Sequence, residues 1–248
     1  MKKTPFILIL GLVLLSFTIS TDFLSDQKRY ERVRKALKEK ETTLNKKLSD
    51  KDLSLNNLNL IFIAYKDNDL LDVYAKSREG ITYKKILSYP ICSRSGQLGP
   101  KREHGDGQVP EGFYHIDRFN PTSSFYLSLG LNYPNLADKR KSKGNDLGGD
   151  IFIHGSCVTI GCLPMTDNFI KEIYVLAVYA RNSKQNKIPF YVFPFKMTDQ
   201  NFVTYKAKFK DNKELISFWG NLKIGYDKFV NDSIALNIKV TENGDYQY

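Results

Sequence analysis

A chain of 248 residues with 42% hydrophobic and 13% aromatic content holds enough apolar material for a packed core, which excludes a disordered polymer. Thirty-seven Lys and Arg against 27 Asp and Glu give a net charge of +10. The positive charges are scattered among acidic residues with no stripe of Arg and aromatics, so nucleic-acid readout is set aside, while an anionic polymer or a membrane surface suits the balance.

Lys2 and Lys3 precede the apolar run PFILILGLVLLSFTIS, which Asp22 ends. A basic start before a short apolar run has the plan of a secretory signal, and the run is short for a membrane span. Residues 1–20 are therefore expected to be a signal peptide or an N-terminal membrane anchor. Either sends the rest of the chain to the periplasm or cell envelope, secreted or anchored at the inner membrane. Residues 21–56 read as a charged helical linker, with Tyr30, Val33, Leu37, Leu44 and Leu48 at helical spacing. It serves as a spacer or packs on the side of the main domain.

From Leu58 the texture turns to β. LNLIFIAYK, LLDVYAKS and ITYKKILSY read as a strand, a hairpin partner and a further strand. A long Gly- and Pro-rich loop follows, with one short strand near Gly112 to Asp117. TSSFYLSLG reads as a strand of about six residues leading into a basic, polar loop. DIFIH is an apolar strand, and Asn168 to Arg181 reads as a helix capped by Thr166 or Asp167. The prolines of IPFYVFPF suit strand ends or an edge strand rather than a central one. Residues 211–230 return to helical spacing, and IALNIKV with the Asn243-Gly244 turn reads as a hairpin. The expected architecture is mainly β with flanking helices (α+β): a main domain at 57–197, and a C-terminal helix plus hairpin at 198–248 packed on it.

The segment IFIHGSCVTIGCLPMTD, residues 151–167, holds one of three histidines and two of three cysteines. Three chemistries compete for it. If the chain doubles back through Gly155 and Ser156, His154 and Cys162 face each other across a hairpin neck, and an imidazole beside a thiol makes a nucleophile. Gly161 before the thiol would let a substrate approach the backbone, whose N–H groups could hold a developing oxyanion. A metal site would use His154, Cys157 and Cys162, with Cys92 as the candidate fourth ligand, but the spacing matches no standard zinc motif. A structural Cys157–Cys162 loop disulfide would close little chain and leave His154 without a task. A buried histidine among small buried thiols is the plain alternative.

The motif IHGSCVTIGCLPMTD resembles the signature of the YkuD-type L,D-transpeptidase catalytic domain family, closest to its YafK/DpaA-like murein branch. YPICSRSGQLGP, GDGQVPEGFYHI, LSLGLNYPN and FWGNLKIGYDKF are similar to further segments of that branch, so the resemblance runs from about Leu58 to Phe229. It implies a β-rich domain with long lid loops, with the catalytic domain at 57–197. Cys162 would be the nucleophile, His154 the general base, and the Gly155 carbonyl the group that fixes the imidazole tautomer, with Gly161 preceding the thiol. The implied partner is peptidoglycan: a stem tetrapeptide donates its acyl group with release of D-alanine, and an amine or water accepts it. No cofactor or metal is needed, a peptidoglycan-linked protein is a further candidate substrate, and a monomer is expected. Where many relatives carry an arginine soon after the nucleophile, this chain has Leu163 and Pro164; Arg102, Arg140 and Lys143 are the loop candidates to replace it. That departure keeps a hydrolase on the same fold open, and a silent peptidoglycan-binding module is the reading from another class. His104 is expected in a solvated loop, His115 in a strand as a surface or satisfied core residue, and Cys157 as a bystander thiol. A regulatory disulfide of Cys157 with Cys162 is held as a hypothesis.

Overall fold

The structure is a computed structural model describing residues 22–142 and 144–248; the expected leader and Lys143 lie outside the described residues. The strands are β1 (Leu58–Tyr65), β2 (Leu70–Ser77), β3 (Lys84–Pro90), β4 (Gly112–Asn120), β5 (Ser128–Leu131), β6 (Phe152–His154), β7 (Leu163–Pro164) and β8 (Ile188–Phe193). They form one eight-stranded sheet in the order β3-β2-β1-β8-β4-β5-β6-β7. The pairings are antiparallel except for β1 with β8 and β6 with β7, which are parallel. The sheet-centred α+β fold agrees with the sequence.

β1 reads as an almost unbroken apolar run because the sheet is covered on both faces. Leu58, Leu60, Phe62 and Ala64 point into one core; Ile61, Ile63 and Tyr65 point into the other. The first core is closed by α2 (Glu31–Ser49) and α4 (Asp167–Asn182). α4 is buried from Glu172 through Ala180 because it lies between the sheet and α2. Thr166 caps it by accepting the Phe169 N–H. The linker helix thus packs on the domain: Val33, Ala36, Leu37, Leu44 and Leu48 are buried, and Glu172 on α4 meets Lys40 and Lys47, each at 3.3 Å, and Tyr89 Oη at 2.9 Å. Tyr30 stays exposed at the helix N-cap. A short helix, α1 (Phe23–Gln27), precedes it.

The second core is closed by α6 (Lys213–Asp232), which places Leu215, Phe218, Trp219, Leu222, Tyr226 and Phe229 against the opposite face of the sheet. Several sequence expectations change here. The polar loop after β5 contains α3 (Leu136–Lys141), started by a capping box in which Asn135 and Asp138 satisfy each other's backbone N–H groups. α5 (Asp199–Lys208) lacks the apolar periodicity that would have marked it, because it buries no residue. β8 is central, between β1 and β4, not an edge strand. Its prolines are tolerated because parallel pairing with β1 begins at Phe62↔Phe190, after Pro189, and ends at Phe193, before Pro194. Of IALNIKV only β9 (Lys239–Val240) forms strand, paired with β10 (Tyr246–Gln247) across the Gly244 turn, where φ is +81°. Ala235, Leu236 and Ile238 lie instead against the second core. No helix among the described residues is long and apolar enough to cross a membrane.

Candidate active site

β6 ends at His154, and the chain reaches Cys162 through residues 155–161. The hairpin expected from the sequence is not formed: β6 and β7 run parallel, with Ile153 opposite Leu163 and His154 opposite Pro164. Ile153 and Leu163 turn into the first core. Alternation then puts Phe152, His154 and Pro164 on the other face, with Cys162 one rung from His154 on that same face. Imidazole and thiol are brought together by a crossover, and both line one cavity of about 300 Å³ with Phe125, Asp150 and Phe152.

His154 is 2% exposed, and the Phe125 ring lies against its ring at 4.6 Å between centroids. His154 Nδ1 is 2.5 Å from Gly155 O. A carbonyl only accepts, so Nδ1 carries the proton, and the neutral imidazole keeps its lone pair on Nε2. Burial holds the imidazole below its ordinary pKa, with the Gly155 hydrogen bond opposing. Burial also raises the Cys162 thiol, partly offset by a backbone hydrogen bond from Phe152, and both shifts favour the neutral thiol and neutral base over an ion pair. The thiol's hydrogen bond goes to Asp150 O at 3.6 Å. Gly155 has no room for a side chain, since a Cβ there would lie 2.6 Å from Asp167 Oδ1 and 2.8 Å from Phe125 O.

The crossover is held by residues to which the sequence reading gave no such role. Asp167 Oδ1 accepts the Ser156 N–H at 3.0 Å, a task open to it because Thr166 is the helix cap. Ser95 Oγ accepts the Gly161 N–H at 2.7 Å. The Thr159 hydroxyl accepts the Cys162 N–H at 2.9 Å and donates to Cys162 O at 2.8 Å. The Met-Thr-Asp tail of the motif thus divides three ways: Met165 fills the core, Thr166 caps α4 and Asp167 fastens the crossover. Gly161 has φ +91°, and a Cβ there would come within 3.1 Å of Gln108 O, so the close approach expected of a substrate is made by the protein's own backbone. Ser95 and Thr159 carried no signal, because hydroxyls in loops are too common for spacing to select them.

The cysteines pair as the sequence did not anticipate. Cys157 is disulfide-bonded to Cys92, with Cα atoms 5.6 Å apart and a sequence separation of 65, and Cys162 is free. Cys157 is therefore no bystander. The end of β3 reaches the crossover because the Cys92 N–H donates to Pro164 O at 3.0 Å. This bond also removes Cys92 and Cys157 as metal ligands.

A second cavity of about 390 Å³ opens on the other side of Cys162 and is lined by Arg94, Ser95, Val109, Lys208 and Phe209 among others. Arg94 there is held by Asp69 at 2.6 Å and Asp67 at 3.5 Å. The sequence candidates for that cationic role go elsewhere. Arg102 pairs with Asp138 at 3.3 Å and lies over the Phe218 ring. Arg140 donates to Val240 O and Thr241 O. His104 is exposed beside Asp146, and His115 sits half-buried in β4 away from Cys162.

A model of the YkuD L,D-transpeptidase catalytic domain matches residues 59–183, and the chain belongs to that family. The Escherichia coli (strain K12) protein YafK, which carries an L,D-transpeptidase name, is 39% identical over 168 residues, and so is its counterpart in E. coli O157:H7. That alignment takes in 66% of this chain, and the chain spans 64% of the length of these relatives. Among solved structures, the helical cell shape determining protein Pgp2 of Campylobacter jejuni superposes with a TM-score of 0.44 at 19% identity, over 75% of this chain and 74% of that one.

Proposed function

We propose that the protein is a cysteine-dependent acyltransferase of the L,D-transpeptidase type acting on peptidoglycan stem peptides. The observation that carries the reading is His154, its Nδ1 proton fixed on Gly155 O, set one rung from the free thiol of Cys162 in a chain of this family. His154 Nε2 takes the Cys162 proton as sulfur attacks the carbonyl of the third stem residue, the diamino acid. The C–N bond to the terminal D-alanine breaks, and His154 returns the proton to the leaving amine. The resulting thioester is resolved by an amine, which makes a cross-link, or by water, which makes the enzyme a hydrolase. Cavities on both sides of Cys162 suit this sequence, because one can hold the acyl donor while the other admits the acceptor. Leu163 follows the thiol where many relatives carry arginine, and this favours keeping water or a protein-linked amide among the substrates. The N-terminal segment would deliver the domain to the cell envelope, where peptidoglycan lies.

The test is to incubate the protein with stem tetrapeptide and look by intact mass for an acyl adduct. The adduct forms in the native protein and is lost in Cys162→Ala. Released D-alanine with no adduct and no dependence on Cys162 refutes the nucleophile assignment. Muropeptide profiles of treated sacculi then separate new cross-links from freed stems.

A further inference from the structure

Residues 157–160 are the most weakly fastened part of the crossover that carries His154 into Cys162. Cys157 and Val158 are exposed, and Ile160 is 85% exposed. Hydrogen bonds reach the rest of the fold only at the two ends of the crossover, from Gly155 to Leu127 O, from Ser156 to Asp167 and from Gly161 to Ser95. Between them the bonds are local: Val158 N–H to Ser156 O, and the Thr159–Cys162 pair. The one long-range tie in the middle is the Cys92–Cys157 disulfide. Its other end is firm. Ile91 N–H donates to Asp69 O, Cys92 N–H to Pro164 O, and Arg94 binds Asp67 and Asp69.

We infer that Cys92 and Cys157 are positioning residues whose disulfide sets the His154–Cys162 geometry, so that the site is competent only in the oxidised protein. This rests on the proposed roles of His154 and Cys162. The asymmetry decides which side moves: without the bond, the segment at 91–97 keeps its anchors and the crossover loses its central one. A displacement of about 1 Å between a base and its nucleophile is enough to cost about a hundredfold in rate. Formation of the bond is a two-electron oxidation in which two thiols give up two hydrogens to a disulfide-bonded oxidant, such as a thiol–disulfide oxidoreductase or glutathione disulfide, which leaves as two thiols. The exposure of Cys157 makes the bond reachable by both oxidant and reductant. The enzyme would thus be latent in a reducing compartment and gain activity on export.

The experiment measures acylation of Cys162 by an activated ester, followed on the Cys162 peptide by mass spectrometry. It compares the oxidised protein with Cys92→Ser/Cys157→Ser, in which Cys162 is the sole thiol, each with and without His154→Ala. With the disulfide, removing the imidazole is expected to slow acylation about 100-fold; without it, the same substitution changes the rate less than about threefold. An equal His154 effect in both backgrounds overturns the inference and leaves the proposed function standing. No His154 effect in either background overturns the base assignment, and this inference with it. Hydrogen exchange on the unsubstituted protein, oxidised and phosphine-reduced, needs no variant. Protection is expected to fall at 157–162 and hold at 91–97, and unchanged protection at 157–162 overturns the inference.

Discussion

Replacing Glu111 by Gln tests the linkage between the C-terminal helix and the cavity beside Cys162. Glu111 is fully buried, and Lys66 beside it is 7% exposed at the side chain. Glu111 Oε1 accepts the Gly99 N–H at 2.7 Å and lies 3.0 Å from Lys66 Nζ, while Oε2 accepts from Trp219 Nε1 at 2.8 Å. Lys66 Nζ also donates to Gly99 O at 2.7 Å and Val109 O at 2.8 Å. Three donors therefore converge on two carboxylate oxygens, and an amide would turn its own NH2 group toward one of them. Breaking a buried pair from one side costs about 3–5 kcal/mol. Burial already pulls the Lys66 pKa down against the attraction of Glu111, which eases loss of the unpaired charge in the variant and places the expected cost toward the lower end, about 3 kcal/mol. For a domain of this size that is roughly 6–12 °C in Tm. The assay is urea and thermal unfolding of Glu111→Gln, Lys66→Met and the double variant. The double variant should be at least about 2 kcal/mol more stable than the sum of the singles predicts. Additive losses, or a Glu111→Gln protein within about 1 kcal/mol of the native one, would refute the reasoning.

Three more outcomes are expected. The acid limb of kcat/KM should fall below the ordinary imidazole range of about 6.5, because burial lowers the His154 pKa and the base stays neutral to lower pH; a midpoint above that range contradicts the assignment. Gly155→Ala should destabilise the protein by about 1–3 kcal/mol and abolish acylation, as the added methyl meets Asp167 Oδ1 and Phe125 O; chemical denaturation and the intact-mass assay read both effects. Asp167→Ala should cost about 1–2 kcal/mol and slow acylation of Cys162, while Asp167→Asn, which keeps an oxygen for the Ser156 N–H, should restore most of both in the same assays.

The sequence determined whatever depends on neighbours along the chain. Apolar runs placed β1, β2 and β3, periodicity placed α4 and α6, and Thr166 or Asp167 marked the start of α4, the cap being Thr166. The motif singled out His154 and Cys162. α5 stayed illegible because it buries nothing, and α3 because its stability comes from a capping box and its packing on the fold rather than from a long apolar stripe. Only the tertiary structure decided that β6 and β7 are parallel, since a strand's own pattern does not encode the direction of its partner. It also decided that Cys157 pairs with Cys92 instead of Cys162, and that Ser95 and Asp167 hold the crossover. Each is a contact between segments distant along the chain, set by how the sheet orders its strands. Local residue spacing carries no information about such an order.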